Sequence, residues 1–314
     1  MSSSKAPRPD APVIGVDVGG TGIKALLVAG GGRVLSELRV TTPRPGPGVA
    51  GRVADTVHAC VADLTRAAPR PPAAIGLAVP GIVDDEKGVA VYSENLGWHD
   101  APLRDMLAER TALPVAFGHD VRTGGLAEAR IGAGRGYASI VFLPIGTGIS
   151  AALYMDGRAY TGHGYAGEIG HTDVGHGEPC VCGGTGCLEA IASAAAIARR
   201  YRARSGRDAT GSLEVLRRMR DGDREAADVW HEAIDALSLA LAWMCSVLAP
   251  DALILGGGLA EAGDELFAPL ARRVEARLTF QCRPKHLRAA LGDRAAALGS
   301  ALLARGLLTA GGPA

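Results

Sequence analysis

The segment DVGGTGIK, Asp17–Lys24, contains the parts of a phosphate cradle. Gly19, Gly20 and Gly22 let several backbone N–H groups converge and leave no side chain in the way. Thr21 adds a hydroxyl donor and Lys24 a cation, while Asp17 is an acid suited to Mg²⁺ or its waters. Gly146, Thr147 and Gly148 repeat the turn in IGTG, without the acid. A third run, Gly256, Gly257 and Gly258, follows the apolar stretch Ala252–Leu255. Neither threonine turn has the GxxxxGK[ST] spacing of a Walker loop, and neither fits GxGxxG, so a dinucleotide fold is not indicated.

A second chemistry lies in His171, Cys180, Cys182 and Cys187, spaced H-x8-C-x-C-x4-C. Three thiolates and an imidazole make a closed tetrahedral zinc set of the structural kind, with no position left for a reacting water. Clustered thiols in a cytosolic chain point to metal rather than disulfides. Cys60, Cys245 and Cys282 stand apart and read as small apolar residues, and His163 and His176 as solvated loop positions.

Phosphorylating a hydroxyl needs a carboxylate that accepts its proton. Asp120 follows the apolar Val115–Phe117 and precedes a helical stretch, where an aspartate's ordinary role is helix N-cap. Asp17, Asp84, Asp85 and Asp100 are also acids near turns, and spacing does not choose among them. Asn95, His119, Glu168, His171 and Glu189 sit in loops beside these motifs, as short polar groups suited to sugar hydroxyls.

The elements that position these groups alternate as in an α/β protein. Strands are expected at Val13–Val18, Ile23–Ala29, Val34–Val40, Ala74–Val79, Pro114–Phe117, Ser139–Ile145, Ile149–Met155, Ala252–Leu255 and Leu287–Leu291. Helices are expected at Val49–Arg66, Pro102–Arg110, Asp120–Ala129, Leu188–Ala203, Arg224–Leu248 and Asp293–Leu307. Ile14–Gly32 aligns without gaps on Ile140–Arg158, with eight of nineteen positions identical, including a contiguous GTGI. That repeat implies a duplicated unit, each copy presenting one glycine turn.

The chain has 314 residues, more than one compact core usually holds. Formal net charge is zero, so no basic surplus is available for nucleic acid or an anionic membrane. Apolar runs such as Ala236–Leu248 carry polar residues and look too short to span a bilayer. MSSSKAPRPDAP lacks an apolar signal core and reads as a short disordered leader, which makes a cytoplasmic location the default.

DVGGTGIK, AVPGIVDD, ENLGW, GHD, IGTG, GEIGH, CVCGGTGCLE and LILGGGL occur in an order that resembles the ROK family of repressors and sugar kinases, across Asp17–Leu259. The resemblance is to the zinc-motif glucokinase and N-acetylglucosamine kinase type. It implies an actin-like (ribonuclease H-like) duplicated α/β fold with two lobes around an ATP and sugar cleft. The small lobe would be residues 1–118 plus a C-terminal helix at about 297–314, and the large lobe 119–296 with the zinc loop. It implies that the two threonine turns hold ATP phosphates with Mg²⁺, that Gly256–Gly258 lies near the adenosine, and that Asp120 is the general base. It also implies that Asn95, Asp120, Glu168, His171 and Glu189 line the sugar, with His171 shared with structural Zn²⁺.

The family's glucokinases usually have Asn-Asp where this chain has His119-Asp120, and an imidazole can titrate near neutral pH. That departure leans towards N-acetylglucosamine, with glucose as the alternative and carbon 6 as the site. ISAAL after the second turn fits a strand better than the usual glycine-rich loop. The family's repressors carry a winged helix before the kinase-like part, and here only about a dozen residues precede the first strand. Polyphosphate-using relatives typically lack the cysteine cluster. A homodimer is expected, with no nucleic-acid or membrane partner.

Overall fold

The structure is a computed structural model that describes residues 10–309. In chain order the elements are β1 (Val13–Val18), β2 (Gly22–Val28), β3 (Val34–Thr41), α1 (Val49–Ala67), β4 (Ile75–Val79), β5 (Ile82–Asp84), β6 (Val89–Ser93), β7 (Trp98–Ala101), α2 (Leu103–Thr111), β8 (Val115–His119) and α3 (Asp120–Ile131). They continue as β9 (Ile140–Pro144), β10 (Ala152–Met155), β11 (Arg158–Tyr160), α4 (Leu188–Ala192), α5 (Ala194–Ser205), α6 (Ser212–Arg220), α7 (Arg224–Leu248), β12 (Ala252–Gly256), α8 (Asp264–Arg277), β13 (Lys285–Arg288) and α9 (Ala295–Thr309). Most of the expected leader and the expected helix beyond Thr309 lie outside the described residues.

The chain folds into two compact units. The first takes the chain through Ala127, Gly162–Tyr165 and the chain from Asp293; the second takes Glu128–Thr161 and Ala166–Gly292. Each is built on a five-stranded sheet, ordered β3-β2-β1-β4-β8 in the first and β11-β10-β9-β12-β13 in the second. In both, three antiparallel strands are followed by two parallel ones. The central strands β1, β4, β9 and β12 are almost entirely buried, which is why they read as continuous apolar runs rather than alternating ones. Equal strand order and direction confirm the duplication and the actin-like fold.

The two hairpins differ in one respect. Val16 pairs with Ala25 in the first, so a gapless overlay would pair Phe142 with Ala151. Phe142 instead pairs with Ala152, and Ile145 bridges to Ile149. The second turn is therefore one residue longer, and the gapless alignment slips by one on its far side.

α1 turns Val53, Val57, Val61 and Leu64 onto the first sheet as its spacing predicts. α9 also covers that sheet, so closely that a Cβ on Gly15 would stand 2.1 Å from the Ala297 carbonyl oxygen. The expected helix Leu188–Ala203 is two helices. Ser193 adopts extended backbone between them, and its hydroxyl accepts the Ala196 N–H to cap α5. α6 and the three-stranded sheet β5-β6-β7 are additions to the expected elements: the strands are only three to five residues long, and α6 is nine largely polar residues. α7 corrects the reading of its apolar run as too short: its 25 residues are long and apolar enough to cross a membrane. Here it is the central core helix of the second unit, burying Val229, Trp230, Leu237 and Leu241.

Candidate active site

In the first unit, β1 ends at Asp17 and Val18 and the chain turns through Gly19–Thr21 into β2. The Gly19 N–H donates to the Gly22 carbonyl at 2.9 Å. Thr42 clamps the turn from β3's end, its hydroxyl donating to the Gly19 carbonyl at 2.7 Å and its N–H to the Thr21 carbonyl at 3.1 Å. None of Gly19, Gly20 and Gly22 lies in the left-handed region, so a special φ is not why they are glycine. What the turn has is bare backbone: Gly20, Thr21 and Gly22 are exposed. Asn95 stands beside it, its Cβ 3.9 Å from where a Cβ on Gly20 would be. Lys24 pairs across the hairpin with Asp17, and its ammonium lies 3.0 Å from the Asp293 carboxylate.

β8 ends at His119 and α3 begins at Asp120. The Thr123 hydroxyl donates to the Asp120 carbonyl at 2.9 Å. Asp120 Oδ1 accepts the Val121 N–H at 2.7 Å and lies 3.3 Å from His119 Nε2. The carboxylate therefore does not cap the second or third N–H of the helix, as an ordinary N-cap would. Burial pushes the Asp120 carboxyl up to about 6, with the Val121 N–H and Arg122 pulling the other way. Asp17 rises to about 7 through burial first and then the neighbouring Asp120 charge, partly offset by Lys24. Two neighbouring acids that hold their protons more tightly than usual are suited to a divalent cation or its waters.

Burial and Arg122 push the His119 ring down to about 3, so it stays neutral across the physiological range. This corrects the expectation of titration near neutral pH. Arg122 and Asp85 were not singled out as a pair by the sequence. The buried guanidinium donates to both Asp85 oxygens, at 3.1 and 3.0 Å, and to the Gly164 carbonyl at 3.3 Å. An arginine two residues past the candidate base was the available signal.

In the second unit the IGTG turn closes with the Gly146 N–H donating to the Gly148 carbonyl at 3.0 Å. The start of α5 holds it, the Ala194 N–H donating to the Gly146 carbonyl at 2.9 Å. Glu189, in α4's first turn, accepts the Ile149 N–H on Oε2 at 2.7 Å. The GGG run is tied to the same turn: the Ile145 N–H donates to the Gly256 carbonyl at 2.9 Å and the Leu259 N–H to the Ile145 carbonyl at 3.1 Å. The GEIGH loop runs alongside, the Ala151 N–H donating to the Gly167 carbonyl at 2.8 Å. Glu168 opens the single 3₁₀ turn that ends at His171. One local framework thus positions Gly146–Gly148, Gly256–Gly258, Glu168, His171 and Glu189.

The ligand atoms of His171, Cys180, Cys182 and Cys187 all lie within 4.8 Å of one another. Cys182 Sγ is 3.6 Å from Cys187 Sγ, and Cys180 Sγ is 3.7 Å from His171 Nδ1. A tetrahedron with zinc–sulfur bonds of about 2.3 Å has edges of about 3.8 Å, so the donor set fits that metal. The Gly184 N–H and the adjacent thiols draw Cys182 down to about 7, towards the thiolate that ligation needs. His176 is not merely solvated: its Nδ1 accepts the Glu178 N–H and its Nε2 lies 3.1 Å from the Cys187 carbonyl oxygen. A cavity of about 470 Å³ in this unit, lined by Glu178, Arg200 and Glu232 among others, includes none of the predicted site residues. Its buried Arg200 pairs with both acids.

The model of the ROK family matches residues 13–306. A glucokinase of Thermotoga maritima is 37% identical over 284 residues, 85% of this chain and 88% of its own length. The crystal structure of a ROK hexokinase from Thermus thermophilus superposes with a TM-score of 0.85 at 34% identity, covering 96% of this chain and all of the other. A ROK family glucokinase from Streptomyces griseus, solved with glucose and AMPPNP, superposes with a TM-score of 0.81 at 30% identity over 94% of this chain and all of its own.

Proposed function

We propose that this chain, a sugar kinase that belongs to the ROK family, moves the γ-phosphoryl group of ATP to the 6-hydroxyl of N-acetylglucosamine or glucose. The observation that supports the reading is Asp120, a raised carboxyl at the start of α3 whose Oδ1 accepts the Val121 N–H and whose side chain keeps 26% of its surface exposed. Oδ2 accepts the proton of the 6-hydroxyl as its oxygen bonds to the γ-phosphorus. The bond from that phosphorus to the bridging oxygen breaks, and ADP leaves.

The bare turns Gly19–Gly22 and Gly146–Gly148 take the phosphates, with Lys24 beside the first, and Gly256–Gly258 borders the adenosine. Asp17 would hold Mg²⁺ or its waters, and the ion would supply neutralising charge to the phosphates. Asn95, His119, Glu168, His171 and Glu189 are the expected sugar residues. His171, Cys180, Cys182 and Cys187 would hold Zn²⁺, which would fix the loop that carries His171. The working protein is proposed as a cytoplasmic homodimer that acts on small molecules and not on nucleic acid.

Glucose is favoured by the relatives, one named a glucokinase and one solved with glucose bound. N-acetylglucosamine is favoured by the His119-Asp120 pair in place of Asn-Asp. ADP release measured against glucose, N-acetylglucosamine, N-acetylmannosamine, mannose and fructose ranks them, and a polyphosphate arm tests the donor. A best substrate outside the first two, or a product phosphorylated away from carbon 6, refutes the reading.

A further inference from the structure

We infer that Thr42 is the positioning residue of the first phosphate turn: its hydroxyl and its N–H fix which way the peptides of Gly19–Gly22 face, and with them the turn's affinity for the phosphates of ATP. The inference rests on the reading of that turn as a phosphate site.

Glycines let a backbone face either way, so something outside the turn must choose. Thr42 makes that choice at two peptides. Its hydroxyl donates to the Gly19 carbonyl at 2.7 Å, and its N–H donates to the Thr21 carbonyl at 3.1 Å. In a trans peptide the N–H points opposite to the C=O, and the described chain has no cis peptide. The Gly20 N–H and the Gly22 N–H are therefore both turned away from Thr42. Thr42 is buried, at 5% exposure, whereas Gly20, Thr21 and Gly22 are exposed. The Gly19 N–H is spent inside the turn, on the Gly22 carbonyl at 2.9 Å.

The clamp is preset by its neighbours. Gly22 pairs with Thr41 in the ladder between β2 and β3, which brings Thr42 level with the turn. Pro43 follows and restricts Thr42 to extended backbone, so the direction of β3 carries one residue further. The second unit does the same work with main chain. There the Gly146 N–H closes the turn on the Gly148 carbonyl, and the Gly146 carbonyl accepts the Ala194 N–H at 2.9 Å. In each copy the residue whose N–H closes the turn has its carbonyl held from behind. Only in the first copy is the holder a side chain, which one substitution removes. A turn whose peptides must be ordered by the nucleotide itself binds phosphate more weakly.

The experiment compares Thr42→Val, which keeps the branched shape and removes the hydroxyl, with Thr42→Ser, which keeps the hydroxyl. The Val variant should raise the KM for ATP about five- to tenfold, the worth of one hydrogen bond, with kcat and sugar KM within about twofold of the parent, since the turn grips the phosphates before and during transfer alike. Adenosine, a competitor without phosphates, should inhibit the Val variant and the parent equally. The Ser variant should recover most of the ATP affinity. A folded Val variant with the parent's ATP KM, a loss shared by adenosine, or a Ser variant as weak as Val overturns the inference. If the Val variant does not fold, ¹H–¹⁵N spectra of the unmodified protein decide: AMPPNP with Mg²⁺ should shift the Gly20 amide, and adenosine should not. A Gly20 amide that AMPPNP leaves in place overturns it. Gly20→Val separates the two readings. A parent-like ATP KM in that variant defeats the phosphate site itself, whereas a raised one beside a normal Thr42→Val defeats only the role of Thr42.

Discussion

Glu189 Oε2 lies 2.6 Å from where a Cβ on Gly148 would stand, and the same oxygen accepts the Ile149 N–H at 2.7 Å. An acid expected among the sugar residues is also the strut of the second glycine turn. Gly148→Ala must push that carboxylate aside. Its melting temperature should fall by several degrees, about 1–2 kcal/mol, with KM for both substrates raised.

Gly146 offers the contrast, since a Cβ there meets nothing within 4 Å. Gly146→Ala should keep the parent's melting temperature and lose ATP affinity, read as a raised ATP KM with sugar KM unchanged. If its ATP KM matches the parent's, the turn is not a phosphate site.

Gly257 has φ +74 and packs so closely on Ile145 that a Cβ would lie 2.4 Å from its carbonyl oxygen. Strain and clash act together, so Gly257→Ala should cost about 2 kcal/mol or more by chemical denaturation. A smaller cost would show that the junction between the GGG run and the IGTG turn can yield.

Asp120 links activity and stability with opposite signs. As the proposed base it would work ionised, so kcat/KM should fall as pH drops through about 6. A folded-state value raised from 3.8 means the folded form holds its proton more tightly, so this group's stabilising contribution is present below pH 4 and lost as pH rises to about 6. Asp120→Asn should reduce kcat by about 10²–10⁴ and yet raise the melting temperature at pH 8, by an equivalent of about 2 kcal/mol. At pH 4 the two proteins should melt together.

The cysteine cluster predicts one zinc per chain by elemental analysis. Removal by a chelator, or Cys182→Ser, should lower the melting temperature by several degrees, and zinc should restore only the chelated parent. Metal absent from freshly purified protein that retains full stability would remove zinc from the account.

The sequence was most legible where one local rule decides. β1, β4, β9 and β12 are short apolar runs between turn residues, and each strand ends within two residues of its run. The repeat predicted two matching sheets because the glycine turn and its flanking strands survive in both copies. The spacing of His171, Cys180, Cys182 and Cys187 suggested a metal set whose geometry then fitted. What stayed hidden depended on distant partners. Nothing near His119 in the chain says that Arg122 would commit its Nδ1, or that burial would hold the ring neutral. Nor could spacing show that Ser193 breaks a helix, since its hydroxyl cap acts only once the backbone has turned.

The extra residue in the second hairpin also bears on ancestry. Between the Phe142–Ala152 pair and the Ile145–Ile149 bridge, the ladder sets Leu143 opposite Ala151. At the corresponding rung of the first hairpin stand Asp17 and Lys24. One descendant of the common hairpin bears an acid and a base face to face, and the other has a greasy rung and a looser bend. The halves have diverged into a copy with opposite charges at that rung and a copy without charge there, so exchanging one hairpin for the other would preserve the architecture and lose the charged rung.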